Sequence, residues 1–237
     1  MKKIDILFPT RNRVRRLYEV LTSIKRTVSN YKNVKIYVYV DEDDKNTLIN
    51  IEEIKSNFSC LDIVFFVGPR IVVAKCWNKL WEISSGEILM QCGDDVIFRT
   101  KDWDLRIIEE FEKVNDEILL VYCNDGIQKE KLATLGFYSR KATEILNYFT
   151  PPYFDADWCD TWLTTLYMKI DRYKYLPDVI TDHMHFFRYP QLIDDTYRKT
   201  RSKADEARSI WMAKRDEIDI DANKLRKFIK EFDERNE

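Results

Sequence analysis

The sequence predicts an α/β fold, a mostly parallel sheet flanked by helices, with a helical appendage at its C-terminal end. Two patterns predict it. Over the first hundred residues, short apolar or β-branched runs alternate with stretches whose apolar residues recur at helical spacing. That alternation implies parallel strands joined by right-handed crossovers. From about residue 190 onward, charges interleave with sparse apolar positions, as on helices that bury a single stripe.

Residues 3–9, KIDILFP, read as a buried first strand. Val14, Leu17, Leu21, Ile24 and Val28 then follow at helical spacing. The run VKIYVYV at 34–40 is the clearest strand, rich in β-branched and aromatic residues and stopped by the acidic stretch DEDD. A polar helix is expected next, then a strand at 62–67 closed by Gly68 and Pro69. Val73, Trp77, Leu80, Trp81 and Ser84 mark one face of a further helix that ends by Gly86. EILMQC is a fourth strand, stopped at Gly93, Asp94 and Asp95. Beyond it the pattern predicts a helix near 102–114, strands near 117–122 and 131–138, helices near 140–148 and 158–169, and a last strand around 178–185. Trp211, Leu225, Phe228 and Phe232 are the expected anchors of the appendage. No internal repeat, low-complexity tract or Pro/Gly-rich linker interrupts the chain, which favours one domain.

With 237 residues, 45% apolar and 14% aromatic, the chain needs neither disulfides nor a structural metal to build a core. Charged residues reach 34% but nearly cancel to −2, so the globally basic surface of a nucleic-acid binder is absent. The five cysteines (Cys60, Cys76, Cys92, Cys123 and Cys159) include no CxxC pair and are expected to be reduced and mostly buried. The apolar run at the N-terminus breaks at Asp5 and Pro9, and no later run reaches membrane-spanning length. A cytoplasmic protein is expected.

In parallel sheets, ligands bind outside the carboxyl ends of the strands. Asp41 to Asp44 and the pair Asp94, Asp95 both fall at such ends. Two adjacent acids after a buried strand are costly unless a turn exposes them or a cation compensates them. Hard oxygen ligands suit Mg²⁺ or Mn²⁺ bridging a carboxylate to substrate phosphates, although a plain Asx turn has the same sequence. The only two histidines, His183 and His185, stand two apart at the end of the last expected strand, where both rings would share one face. Arg11, Arg13, Arg15 and Arg16 cluster at the first strand-to-helix junction. Arg11 and Arg15 are expected on one helix face, meeting phosphates, an anionic acceptor or only solvent. Arg140, Lys141 and the stretch RYPQLIDDTYRKTR are further candidates to close over a ligand.

These residues resemble the GT-A superfamily, specifically family 2-type glycosyltransferases and their small bacterial and phage-like members. FPTRNR is similar to the family's opening P-T-x-N-R, and VDEDD to its base-binding aspartate turn. CWNKLWEISSGEILMQCGDD is similar to A-R-N-x-G-x-x-x-A-x-G-E-Y-I running into DxD, with Asn78, Gly86 and Glu87 matching in spacing. Gly93 replaces the first acid of DxD, Trp77 the usual Arg, and Leu80 the usual Gly. GDDVIFRTKDWD resembles a run found in the small members. The resemblance implies a metal-dependent transfer of sugar from a nucleotide sugar, a UDP-sugar first, to a hydroxyl acceptor with inversion. It implies donor contacts from Pro9, Thr10, Arg11, Asn12, Asp41, Asp44, Asn78 and Asp94. Asp95, His183 and His185 would hold Mn²⁺ or Mg²⁺. The general base is expected to be Asp160, at the start of a helix that buries Trp162, Leu163 and Leu166, with Asp157 in reserve; a plain N-cap is the competing role for Asp160.

On this reading residues 1–190 form the GT-A domain, with 1–98 holding the nucleotide sugar and 99–190 the acceptor and catalytic groups. Residues 191–237 extend the same domain. The acceptor stays open between a glycan, a lipid-linked sugar, a protein and a modified nucleic-acid base. Competing classes are a nucleotidyltransferase, which would want glycines after strand one where PTRNRVRR has none, and a metal-dependent hydrolase, for which two histidines are few. A non-catalytic nucleotide-sugar-binding domain is the third, suggested by the imperfect DxD.

Overall fold

A computed structural model describes residues 2–194, Arg198 and 204–236. Its first half runs β1 (Ile4–Thr10), α1 (Val14–Thr27), β2 (Val34–Asp41), α2 (Lys45–Asn57), β3 (Asp62–Gly68), α3 (Val73–Ile83) and β4 (Ile88–Gln91). The second half adds β5 (Val96–Phe98), α4 (Trp103–Glu112), β6 (Leu120–Asn124), β7 (Phe137–Ser139), α5 (Arg140–Leu146), α6 (Cys159–Lys169) and β8 (Tyr173–His183). Two further helices, α7 (Ala204–Lys214) and α8 (Glu217–Asn236), follow. The eight strands form one sheet in the order β3-β2-β1-β4-β7-β6-β8-β5. β1 to β4 pair in parallel, whereas β7 runs antiparallel between β4 and β6, and β5 antiparallel to β8.

Burial explains the strands. β1 is covered on both faces, so Ile6, Leu7 and Phe8 are apolar in succession rather than alternating with polar residues. Ile6 and Phe8 enter a core beneath α1, α2 and α4, with Leu21, Ile54 and Trp103. Leu7, between them, points to the opposite core beneath α3, α5 and α6, with Leu80 and Trp162. α8 closes that second core through Ile218, Ala222 and Leu225, all buried. Trp211 of α7 stacks on Trp158 with ring centroids 5.3 Å apart, and Phe228 packs partly buried against the same core, 6.5 Å from Phe232.

Three expectations shift. The strand expected near 131–138 shrinks to Phe137–Ser139. The residues before it satisfy their backbone from side chains instead: Tyr122 donates its hydroxyl to the Glu130 carbonyl, and Thr164 Oγ1 accepts the Ala133 N–H. The last strand begins at Tyr173 rather than near 178, because Pro177 sits in a bulge where the register with β6 jumps from Leu176 to Ile180. It ends at His183, so His185 lies beyond the strand and the shared strand face is not formed. β5, only three residues long, carries too little periodicity to be read from sequence. All five cysteines are free thiols, four of them buried and Cys60 exposed. Among the described residues no helix is long and apolar enough to cross a membrane.

The turn into β4 depends on a missing side chain. Buried Asp5 accepts the N–H groups of Ser85 and Gly86 at 2.8 and 2.6 Å. A Cβ on Gly86 would lie 2.7 Å from the Asp5 carboxyl group. Gly86→Ala is therefore expected to destabilise the protein by about 1–3 kcal/mol, as overpacking of a rigid site does. A urea midpoint equal to that of the parent would contradict this close approach.

Candidate functional site

The carboxyl ends of β1, β2, β4 and β8 meet at one edge of the sheet, and the acidic and histidine residues gather there. β4 stops level with Leu7, whose carbonyl accepts the Cys92 N–H at 3.0 Å, so the loop Gly93 to Asp95 lies beside Pro9 and Thr10. Asp94 turns inward and is 5% exposed. Thr10 Oγ1 donates to one of its oxygens at 2.9 Å and Arg13 Nη1 to the other at 2.9 Å. Burial pushes the Asp94 carboxyl up, and Arg13 opposes that.

Asp95 turns toward β8. Its carboxylate lies 3.4 Å from His183 Nε2, and its carbonyl accepts the Met184 N–H at 2.7 Å, so the β4 loop and the end of β8 are stitched together. Burial lowers the His183 pKa, but the carboxylates of Asp95, Asp125 and Asp160 outweigh it and hold the imidazole above its ordinary value. Gly93 explains the altered acidic motif, because a Cβ there would sit 2.6 Å from Asp95 Oδ1. The absent side chain leaves space that the Asp95 carboxylate fills. His185 occupies the turn after β8, its ring 5.1 Å from that of His183 and its Nδ1 accepting the Phe187 N–H at 3.3 Å.

Among the described residues no group of three His, Cys, Asp or Glu side chains is gathered to hold a metal unaided. Asp95 and His183, one hard oxygen and one imidazole, are the residues here that could hold a divalent cation.

The residues expected at the donor divide by what they touch. Arg11 is not on α1, as expected, but in the loop before it. There it donates to Asp41 Oδ2 at 2.8 Å and also pairs with Asp43. Burial raises the Asp41 carboxyl, with Arg11 opposing. Asp44 has no exposed surface: it caps α2 through the Thr47 N–H at 3.0 Å and accepts the Asn12 N–H at 2.8 Å, which holds Asn12 at φ 54. Arg15 faces solvent in an i, i+4 pair with Glu19. Asn78 reaches the other way, accepting the N–H groups of Phe149 and Thr150 at 2.9 and 3.0 Å and donating to the Thr150 carbonyl. Trp77 Nε1 donates to the Cys92 carbonyl at 3.0 Å, immediately before the acidic loop. Arg140 is committed to the turn before β4, donating to the Gly86 carbonyl and Ser84 Oγ.

α3 thus pins the segment that leads into α6, where Asp157 and Asp160 stand. The α6 N-cap is Trp158, held at φ 75, and Asp160 lies in the first turn. Asp160 therefore does not cap the helix; it accepts the following Thr161 N–H at 2.7 Å. It keeps part of its surface open, yet burial, reinforced by the Asp157 charge, pushes its carboxyl up to about 6. Asp125 escaped the sequence reading, and Asp194 entered it only within the stretch RYPQLIDDTYRKTR. Asp125 is buried beside His183: its Oδ1 accepts three backbone N–H groups from Ile127 to Lys129, and its carbonyl accepts the His183 N–H. Asp194 forms a fork with Arg13 at 2.7 and 2.8 Å. The signal for Arg13 was present, as the last residue of FPTRNR; nothing in the sequence paired Asp194 with it. Of the stretch RYPQLIDDTYRKTR, residues 195–197 and 199–201 lie outside the described residues.

An acidic loop beside a histidine, with a raised carboxyl near them, thus stands at the carboxyl ends of parallel strands, the end at which such sheets bind ligands. The family model "Glycosyl transferase family 2" matches residues 5–159, more than half the chain, and the protein belongs to that family, with the GT-A fold. The mannosyltransferase PcManGT from Pyrobaculum calidifontis, solved with GDP-Man and Mn²⁺, is similar with a TM-score of 0.62 at 17% identity, over 77% of this chain and 57% of that one. TarS residues 1–349 from S. aureus, in complex with UDP-GlcNAc, is similar with a TM-score of 0.56 at 13% identity, over 76% and 57%. The chain thus spans little more than half the length of either. No curated protein matches the sequence.

Asp95→Ala is expected to abolish the Mn²⁺-dependent rise in melting temperature given by UDP or GDP while the metal-free melting temperature stays near that of the parent. His183→Ala should cost more of that rise than His185→Ala. A full Mn²⁺-dependent rise in the Asp95 variant would remove it from the site.

Proposed function

We propose that the protein is a metal-dependent, inverting glycosyltransferase that moves a sugar from a nucleoside-diphosphate sugar to a hydroxyl acceptor with Asp160 as general base. The observation that carries this reading is the convergence of the Asp95–His183 pair with a carboxyl raised to about 6. Asp41 and Arg11 offer an acceptor and a donor to a nucleobase at the end of β2. Asp95 and His183, with His185 nearby, would hold Mn²⁺ or Mg²⁺; when bound, the cation neutralises the charge of the departing nucleoside diphosphate.

The remaining chemistry falls to the chain's own carboxyl. In a single displacement the bond from the anomeric carbon to the diphosphate oxygen breaks as the acceptor oxygen bonds from the opposite face, through an oxocarbenium-like state. The hydroxyl proton passes to Asp160. A base with a pKa near 6 is ionised at neutral pH yet more basic than an ordinary carboxylate. UDP-sugars are the first donors to test and GDP-sugars the second, since similar folds have been solved with both kinds.

Asp160→Asn should lower turnover by about 10²–10⁴-fold without weakening donor affinity, because a base acts only as the hydroxyl attacks. Parental turnover should rise with pH up to about 6 and then level off. Stability should move the other way. A carboxyl raised on folding loses stability as pH climbs through 6 and loses none below its unfolded value, so Asp160→Asn should melt higher than the parent at pH 8 and equally at pH 3. Parental transfer by the Asn variant, measured with calorimetric donor affinity alongside, would return the role to Asp157.

A further inference from the structure

Arg13 stands between two carboxylates of different character. Asp94 is buried, and Thr10 holds its second oxygen, so that partner is fixed. Asp194 comes from the segment after the histidines, and its side chain is 36% exposed. It accepts from Arg13 Nε and Nη2 side-on, at 2.7 and 2.8 Å. Arg16 Nη2 donates to the Leu192 carbonyl at 2.6 Å, which holds the chain just ahead of Asp194 against α1.

The guanidinium fork matches carboxylate and phosphate oxygens alike. Arg13 is also a nearly buried cation one residue removed from the candidate cation ligand, since its inner partner Asp94 adjoins Asp95.

We propose that Asp194 is an internal stand-in for the donor's diphosphate: its carboxylate occupies the Arg13 fork, and a nucleoside diphosphate entering beside Asp95 takes its place. Arg13 keeps Asp94 throughout and exchanges only its outer partner. The diphosphate must then compete with a tethered anion, and its apparent affinity falls by the fraction of time the fork is free. This inference rests on the donor reading above, but the fork itself asks only for a phosphate.

The test is calorimetric titration of UDP, GDP and inorganic pyrophosphate, each with Mn²⁺, into the parent and into Asp194→Asn, Asp194→Glu and Arg13→Lys. Asp194→Asn should bind nucleoside diphosphate about tenfold tighter. Asp194→Glu, which restores the competing charge, should bind like the parent. Arg13→Lys should bind weakly, and Asp194→Asn placed upon it should gain nothing. The sign is diagnostic, since breaking a purely structural latch would leave affinity unchanged or weaken it. Equal or weaker binding by a folded Asp194→Asn overturns the proposal, whatever Arg13→Lys does. Should the parent bind neither UDP nor GDP, the donor reading fails on its own. Tighter pyrophosphate binding by Asp194→Asn would then still support the fork, and unchanged pyrophosphate binding would sink it.

Discussion

A carboxylate buried at the end of a central strand has to be neutralised or paired, and Asp94 is paired on both oxygens, by Thr10 and Arg13. Removing one partner of such a buried pair costs about 3–5 kcal/mol, because the other charge is left uncompensated. The clamp therefore locks the loop after β4 to the loop after β1. Everything else at the edge follows from that lock. Asp95 turns to His183 instead, the bare Gly93 leaves room for its carboxylate, and the Met184 N–H joins β8 to the same loop.

The second wall is held by a different device. α3 reaches across with Asn78 and with the Ala74 N–H, which donates to the Asp155 carbonyl at 2.8 Å, so the segment before α6 is fixed to the first half of the chain. The strained φ of Trp158 fits this picture: a bulky residue held in the left-handed region needs surrounding structure to impose it. Stacking against Trp211 supplies part of that structure, which ties α7 to the wall that carries Asp157 and Asp160.

Much of the fold was legible because β1, β2 and β4 are buried on both faces and flanked by helices with one apolar stripe. β5 and the start of β8 were hidden for physical reasons. Three residues cannot show a period, and Pro177 imitates a strand boundary while sitting in a bulge. At the site, the acids at strand ends stood out because charge at the end of a buried run is costly, and the two histidines because the sequence has only those two, two residues apart. What stayed hidden depends on the third dimension. That Asp44 lies wholly buried, that Asp160 does not cap α6, and that Arg13 bridges residues 94 and 194 are facts of tertiary contact.

The proposed transfer requires a donor whose diphosphate binds with a divalent cation beside Asp95. The most direct measurement is a thermal-shift screen of UDP-, GDP-, CDP- and TDP-sugars with and without Mn²⁺, followed by analysis of the released phosphates. At least one nucleotide sugar should raise the melting temperature only when Mn²⁺ is present, and nucleoside diphosphate should accumulate. Release of pyrophosphate, or stabilisation by a nucleotide sugar that is indifferent to Mn²⁺, would contradict it.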